Sequence, residues 1–415
     1  MNSREVIIVG AGIGGVTLAL ALDRVGVPFR LLEAAKEIRL LGVGLNLLPH
    51  AVRALTDLEL QPSLLAKGVV TREYCFFTRH GQHVYSEPRG RFANNDCPQI
   101  SIHRGDLHGA LLAAVQERCG QHKVEVDHKC MAVEQDGNGV TVHCETSQGR
   151  TVKVQGALVI ACDGVHSVLR RQDHPKEAIP KYQGTMLYRG VTRMPPFLSG
   201  ATMAYVGTQE SGKLVVYPIR DNIDSRGEQL VNWVIELARP AETWQRDWNR
   251  ECNVEDFIAN FESWTFDWLD IPAMLRSADS VYEYPMVDQD PLPFWTRGRT
   301  TLLGDAAHPM MPRGSNGSAQ AILDAVTLAQ LLARLNDGPL ALKQYEALRH
   351  PPTSEVVLAN RTIWPDAILR VVDERTGGKP FRRIEDVISM AELVEWQERY
   401  RRVEAFPVGD LQPSV

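Results

Sequence analysis

The stretch VIIVGAGIGGVTLALALDRVGVPFRLLE, residues 6–33, decides the fold. Val6 to Gly10 is an apolar run of strand length. Gly14 to Val25 has the length and apolar spacing of a helix, and Phe29 to Glu33 returns to strand character. Strand, helix and strand in succession make a βαβ unit. Its first turn, Gly10-Ala11-Gly12-Ile13-Gly14-Gly15, has the spacing GxGxxG. Gly10 permits the tight turn, Gly12 lets the backbone approach a pyrophosphate, and Gly15 allows close packing of helix on strand. The helix start offers unpaired N–H groups and a partial positive charge to phosphates. Glu33 ends the second strand, 18 residues after Gly15, with Ala34 beside it. A carboxylate there accepts from ribose hydroxyls and repels a 2′-phosphate. The unit is therefore expected to hold the adenosine of FAD or NAD rather than NADP, and the spacing does not choose between them.

Two later segments choose FAD. One is Ala161-Cys162-Asp163-Gly164-Val165-His166-Ser167, with Arg170 beyond. The other is Leu303-Gly304-Asp305-Ala306-Ala307-His308-Pro309, followed by Pro312-Arg313-Gly314-Ser315-Asn316-Gly317. Each sets an Asp after a short apolar strand, where an open α/β sheet places its ligand crevice. Asp305 is suited to accept from a ribityl chain. Gly314 to Gly317 open a long apolar helix whose N–H groups would face the N1–C2=O edge of a flavin. That edge gains negative charge on reduction, which a helix N-terminus stabilises.

The rest of the chain bounds the class. Its 415 residues allow one large two-part domain or two to three ordinary ones, and a net charge of −6 without a basic cluster argues against nucleic acid. No run is long and apolar enough to span a bilayer, and the start does not read as a signal peptide. Seven scattered cysteines without a CxxC pair argue against structural zinc or a disulfide framework, so a cytoplasmic setting is expected. Residues 124–155 read as a small antiparallel meander. From about 180 to 290, β-rich runs carry most of the tryptophans between proline-rich joints. The expected organisation is α/β: a Rossmann-like FAD-binding domain, discontinuous over 1–175 and 285–350, with an inserted substrate domain at 176–284 that contains a β-sheet, and C-terminal helices over 351–415.

With GAGIGG, CDGVHS and GDAAHPMMPRGSNG in this order, the chain resembles the class A flavoprotein aromatic hydroxylases, the group of p-hydroxybenzoate and salicylate hydroxylases. The strings IRLLGVGLNLLPHAV, SEPRG, SIHRGDLHGALLAAVQER, LVNWV and YPMVDQDPLPFWTRGRTTLLGDAAH are similar to its phenazine-modifying branch. The resemblance implies that Gly12 to Gly15, Glu33, Arg104, Asp163 and Asp305 contact FAD, with Gly42-Val43-Gly44 as a mobile loop beside the isoalloxazine ring. It implies non-covalent FAD, NADH or NADPH as a transient co-substrate, and O2. A C4a-hydroperoxyflavin would then hydroxylate an aromatic or fused-ring small molecule, with or without loss of a carboxyl group, and secondary metabolism is the expected setting. No second GxGxxG with strand and helix context appears, in keeping with a transient nicotinamide. A monomer or homodimer is expected.

The substrate wall is expected from the inserted sheet: Tyr188, Met203, Tyr205, Tyr217 and Trp233, since aromatic walls suit a flat ligand. Pro309 and Pro312 would shape the reactive face of the flavin. Several phenol hydroxylases of the group carry a His before the strand that is LVVYP here. This chain has Lys213 there, so that base does not carry over; no acid or base is assigned, and Pro309, Arg313 and Lys213 are the candidates for a catalytic role beside the flavin. Arg313 stands where a small or apolar residue is expected and is a candidate for recognising a carboxylate or phenolate, or for admitting NAD(P)H. The alternatives are a flavoenzyme performing epoxidation, Baeyer–Villiger oxidation or dehydrogenation of a polyketide-like substrate, and a flavin-binding scaffold without redox activity.

Overall fold

A computed structural model describes residues 5–40, 42–177, 180–240 and 250–404, the last five by backbone alone. Four residues at the start of the expected first domain and eleven at the end of the expected C-terminal segment lie outside the described residues.

A five-stranded parallel sheet carries the nucleotide unit. Its order is Thr300–Leu302, Leu158–Ala161, Val6–Val9, Phe29–Leu32, Val124–Glu125. Val6–Val9 lies at the centre and is buried throughout, as is Leu158–Ala161 beside it. Unbroken apolar runs of this kind belong in a parallel sheet covered on both faces. The helix Ile13–Arg24 follows the first strand and packs against Arg104–Cys119 and Asn316–Arg334. The expected meander is present as Lys129–Gln135, Val140–Glu145 and Thr151–Gly156. The chain leaves the parallel sheet after Ala161 and re-enters it at Thr300.

Between those points it builds most of a larger eight-stranded sheet. The order is Arg250–Cys252, Val281–Asp288, Lys181–Met194, Gln229–Ala238, Gly212–Arg220, Thr202–Thr208, Glu73–Phe77, His83–Pro88. Two of these strands correct the expected domain boundary. Glu73–Phe77 pairs in parallel with Thr202–Thr208 and brings His83–Pro88 with it, so residues assigned to the first domain complete the second sheet. Without them Thr202–Thr208 would be an unprotected edge. The boundaries at 285 and 351 also shift, because Val281–Asp288 is one strand and Gly338–Ala359 one helix.

The large sheet is buried on both faces. One face packs on Phe257, Phe261, Trp264 and Met274. The other packs on the C-terminal residues Ile368, Leu369, Val372 and Leu393 and, further along, faces the nucleotide domain. Strand alternation assigns each residue to one face. The register pairs Lys213 with Glu236, Val215 with Val234 and Tyr217 with Asn232 on the face toward the nucleotide domain. Tyr188 pairs with Ile235 and Gly190 with Trp233, one residue out of phase and hence on the opposite face.

Candidate functional site

The first strand and the Ile13–Arg24 helix meet at glycines with different reasons to be glycine. Gly10 has φ +101°, and an added Cβ would lie 2.5 Å from the Cys162 carbonyl oxygen. A Cβ at Gly15 would lie 2.0 Å from the Gly10 carbonyl oxygen. A Cβ at Gly12 would meet nothing within 4 Å. Gly12 is therefore not required by packing, as suits a backbone that approaches a ligand. No side chain caps the helix that Gly12 precedes, so its first N–H groups are free for phosphate. Glu33 accepts from the Ala11 and Ala35 amides, each at 2.8 Å, which fixes its carboxylate at the end of its strand beside this turn. Ala34 next to it is exposed.

Asp163 follows Leu158–Ala161, which pairs with the first strand, and Asp305 follows Thr300–Leu302, the next strand out. Asp163 accepts from Val168 N at 2.8 Å through Oδ2, while Oδ1 is buried without a partner. Burial raises the pKa of this carboxyl. Asp305 is exposed in the turn Gly304–Ala306 and lines the central cavity. That turn is held from behind. Buried Arg170 donates to the Ala306 and Ala307 carbonyls at 3.1 and 2.9 Å. Asp324 Oδ2 accepts from Gly304 N at 3.1 Å and bonds His308 Nε2 at 2.6 Å, and Asp324 Oδ1 accepts from Arg349 Nε at 2.8 Å. Burial would raise the Asp324 carboxyl, but His308 and Arg349 outweigh it and hold its pKa at about 2. His308 thus packs behind the loop, not in the cavity.

The helix Asn316–Arg334 begins beside Asp305. Ser315 sits in the left-handed region at φ +59° and no side chain caps the helix. Asn316 is buried, lines the cavity, and has neither side-chain oxygen nor nitrogen paired. Free helix N–H groups, an orphaned amide and the Gly12–Gly14 turn open onto one cavity of about 420 Å³, within the roughly 300–1,000 Å³ usual for ligand sites. These residues fit an elongated dinucleotide that carries a ring with hydrogen-bonding edges. Val43, Gly44, Arg104, Asp305 and Gly314 to Gly317 all line it.

The opposite wall is the large sheet. Met203, Tyr205, Tyr217, Val215, Val234 and Leu187 supply an apolar and aromatic surface. Tyr205 stacks on Phe76 with ring centroids 5.1 Å apart. Burial pushes the Tyr217 hydroxyl up to about 12, so it stays a neutral donor. At one end of the wall lies a buried set of four charges. Lys213 Nζ is 3.0 Å from Glu236 Oε1 and 3.0 Å from Asp366 Oδ1, and Arg313 Nη2 is 3.2 Å from Glu236 Oε2. The Arg313 guanidinium lies 4.1 Å from the Trp364 ring centroid.

Several expectations change here. Tyr188 and Trp233 are not in the cavity. Tyr188 stacks on Phe257 at 4.3 Å, and Trp233 is fully buried with Nε1 donating to Thr192 Oγ1 at 3.1 Å. Pro309 is absent from the cavity wall and its carbonyl accepts from Gln289 N at 3.3 Å, whereas Pro312 does line the wall. Lys213 is no proton acceptor: burial would lower its pKa, but Asp366 and Glu236 outweigh that and raise it. Arg313 spends its charge on Glu236. The Gly42–Gly44 loop is not free at its second glycine. Gly44 N donates to Asn232 Oδ1 at 2.7 Å, and Arg189 Nη2 donates to Gly44 O at 3.0 Å.

Sequence reading missed Glu236, Asp366, Arg189, Asn232 and Asp324. A signal existed for two of them: Asn232 and Glu236 are polar residues four apart, on one face of the otherwise apolar run Leu230 to Leu237. Asp366 carried none, because its partner is 153 residues away.

The family described as FAD binding domain matches residues 3–360. Phenazine 1,6-dicarboxylic acid hydroxylase of Lysobacter antibioticus is 41% identical over 362 residues, covering 86% of this chain and 89% of that protein. The 3-hydroxybenzoate 6-hydroxylase of Polaromonas naphthalenivorans is 31% identical over 367 residues, covering 86% of each. Among solved structures, a salicylate hydroxylase substrate complex superposes with TM-score 0.70 at 21% identity, over 97% of this chain and 98% of that one. HpxO of Klebsiella pneumoniae, complexed with FAD and uric acid, does so with TM-score 0.73 at 22% identity, over 96% and 93%. At such identities the structures establish a shared fold.

Proposed function

This chain belongs to the FAD binding domain family and is an FAD-dependent monooxygenase of the aromatic-hydroxylase group, and from that premise we propose that it hydroxylates a fused-ring aromatic acid related to phenazine carboxylates. The observation that carries the proposal is one cavity. On one side it has two uncapped helix starts and Asp305, and on the other the aromatic face of the large sheet.

FAD, when bound, supplies the redox chemistry that activates O2 with electrons from NADH or NADPH. Overall, one oxygen atom enters a ring C–H bond as hydroxyl, the other leaves as water, and the nicotinamide is oxidised. Where a carboxyl-bearing carbon is attacked, CO2 leaves in place of the proton. Gly12 to Gly15 and Glu33 are assigned to the adenosine and pyrophosphate, Arg104 to the pyrophosphate or the flavin face, and Asp163 and Asp305 to the ribityl side. Gly314 to Gly317 are assigned to the flavin edge. Met203, Tyr205 and Tyr217 hold the substrate ring flat. Within the cavity Lys213, Glu236, Arg313 and Asp366 pair with one another, so the protein's part is to orient the ring and exclude water rather than to remove a proton.

The test is a panel of aromatic acids and phenols scored by stimulated NADH oxidation. Mass spectrometry then reads +16 against loss of CO2, with ¹⁸O2 as the oxygen source. Label in a ring hydroxyl supports the proposal. Label in an ester, or indifference to every aromatic compound, overturns it. Among the described residues no helix is long and apolar enough to cross a membrane.

A further inference from the structure

Four cations line the cavity: Arg104, Arg189, Lys213 and Arg313. Lys213 and Arg313 are matched by Glu236 and Asp366, which makes that corner neutral. Arg104 is exposed at the start of its helix, where water can solvate it. Arg189 is different. It is half-buried, projects from the substrate face of the sheet, and among the described residues has no ion pair. Its Nη2 donates to the Gly44 carbonyl, and its Nε is buried without a partner. Asn232, which holds the other side of Gly44, also has a spare donor: its Nδ2 is buried and unpartnered. The Tyr217 hydroxyl lies beside the same guanidinium. A cation and an amide are thus gathered beside the Tyr217 oxygen, and the guanidinium Nε and the amide Nδ2 are buried without an acceptor. Unsatisfied buried donors are costly, and a buried cation more so, unless an acceptor of opposite charge completes the set.

We propose that Arg189 is the residue that receives the anionic group of the substrate, a ring carboxylate or phenolate, with Tyr217 as its neutral co-donor. This rests on the cavity being the site of aromatic hydroxylation. It transfers the role from Arg313, whose charge is engaged, to a residue whose charge is free. A planar guanidinium with donors on two edges can keep Gly44 with one and take an oxyanion with another. Arg189 would then read substrate charge while touching the loop beside the flavin.

The test uses the holoenzyme and a charge-differing pair, phenazine-1-carboxylate and phenazine-1-carboxamide. Kd is read from the visible absorbance of the bound flavin, and KM from NADH oxidation. Wild type should bind the acid more tightly than the amide. Arg189→Gln should weaken the acid by roughly 10- to 100-fold, the range for a hydrogen bond to a charged group, and move the amide no more than loss of the Gly44 clamp alone does. Asn232→Ala cuts the other side of the Gly44 clamp without removing a charge, so it should move acid and amide together. A wild type without preference for the acid overturns the inference. So does an Arg189→Gln enzyme that loses both ligands equally. Should Arg189→Gln not retain FAD, Arg189→Lys decides: its acid-to-amide ratio should fall severalfold, and an unchanged ratio overturns the inference. A wild type whose NADH oxidation no aromatic compound stimulates defeats the hydroxylase reading instead, which is a separate result.

Discussion

Lys213 and Glu236 stand directly opposite each other across an antiparallel strand pair, Nζ to Oε1 3.0 Å, both buried. Burial would lower the ammonium's pKa and raise the carboxylate's. Each is overridden by the charges around it: Asp366 and Glu236 for Lys213, Lys213 and Arg313 for Glu236. Two cations and two anions close on themselves at the end of the substrate wall. They join the large sheet to the Met311–Gly314 loop and to Asp366 ahead of the C-terminal helix Ala367–Thr376. A buried ion pair is weak evidence for stability, yet removing one partner leaves a charge uncompensated.

Glu236→Gln is therefore expected to destabilise the protein by about 3–5 kcal/mol, the cost of breaking a buried pair from one side. Lys213→Met/Glu236→Leu should cost less than the sum of its single variants, with a coupling of about 1–3 kcal/mol. Denaturant titration of the three variants checks this. Additive losses would mean that the two charges do not depend on each other.

The nucleotide half was legible because its signals are local. Gly10, Gly12, Gly15 and Glu33 fall within one βαβ unit, and the helix they predict as Gly14 to Val25 is Ile13–Arg24. The substrate half is set by strand register, which no local pattern reveals. Tyr188 and Trp233 looked as suitable as Tyr205 and Tyr217, but a period of two sends neighbours to opposite faces. Only pairing Gly190 with Trp233 and Tyr217 with Asn232 shows which parity faces the cavity. Arg189, adjacent to Tyr188, was overlooked by that one residue. Likewise Glu73–Phe77 joins the second sheet through a partner more than a hundred residues on, so the boundary drawn from composition missed it.

The glycines of the first turn separate by substitution. Gly15→Ala forces a Cβ to within 2.0 Å of backbone oxygen and should lower the melting temperature of apoprotein and holoprotein alike. Gly12→Val has room for its Cβ in the protein and should lower the apoprotein's melting temperature far less than Gly15→Ala does, while weakening FAD at least tenfold, about 1.4 kcal/mol. Flavin absorbance after dialysis and apoprotein calorimetry read the two effects apart. Full FAD retention by Gly12→Val would remove the pyrophosphate from that turn.

Acid stability follows from Asp324, whose folded pKa of about 2 lies below its ordinary 3.8. A depressed carboxyl contributes stability that is present above the ordinary value and is lost as pH falls through the folded one. The window is pH 4 down to 2, and the size is on the order of 2 kcal/mol. Asp324→Asn should flatten that part of the stability curve. It should also destabilise the protein at neutral pH, since Arg349 and His308 lose their shared partner, and release FAD through the unanchored Gly304 turn. Equal acid profiles for the two proteins would mean that the carboxylate does not govern this range.

The two faces of the large sheet can be told apart kinetically. Trp233 is packed at the Cβ-free surface of Gly190 and bonded to Thr192. Trp233→Phe removes that hydrogen bond and part of the indole volume, so it should cost about 1–3 kcal/mol of stability and leave kcat/KM within about twofold. Tyr217→Phe deletes one hydroxyl on the cavity side and keeps the ring. It should leave the melting temperature nearly unchanged, raise KM for an aromatic acid severalfold, and increase the NADH consumed per product formed, because a less firmly held ring is attacked less often. The decisive comparison is the crossing of the two effects, stability for Trp233 and turnover for Tyr217. A Trp233→Phe enzyme with altered substrate preference would put the indole, and with it the opposite face of the sheet, back in contact with substrate.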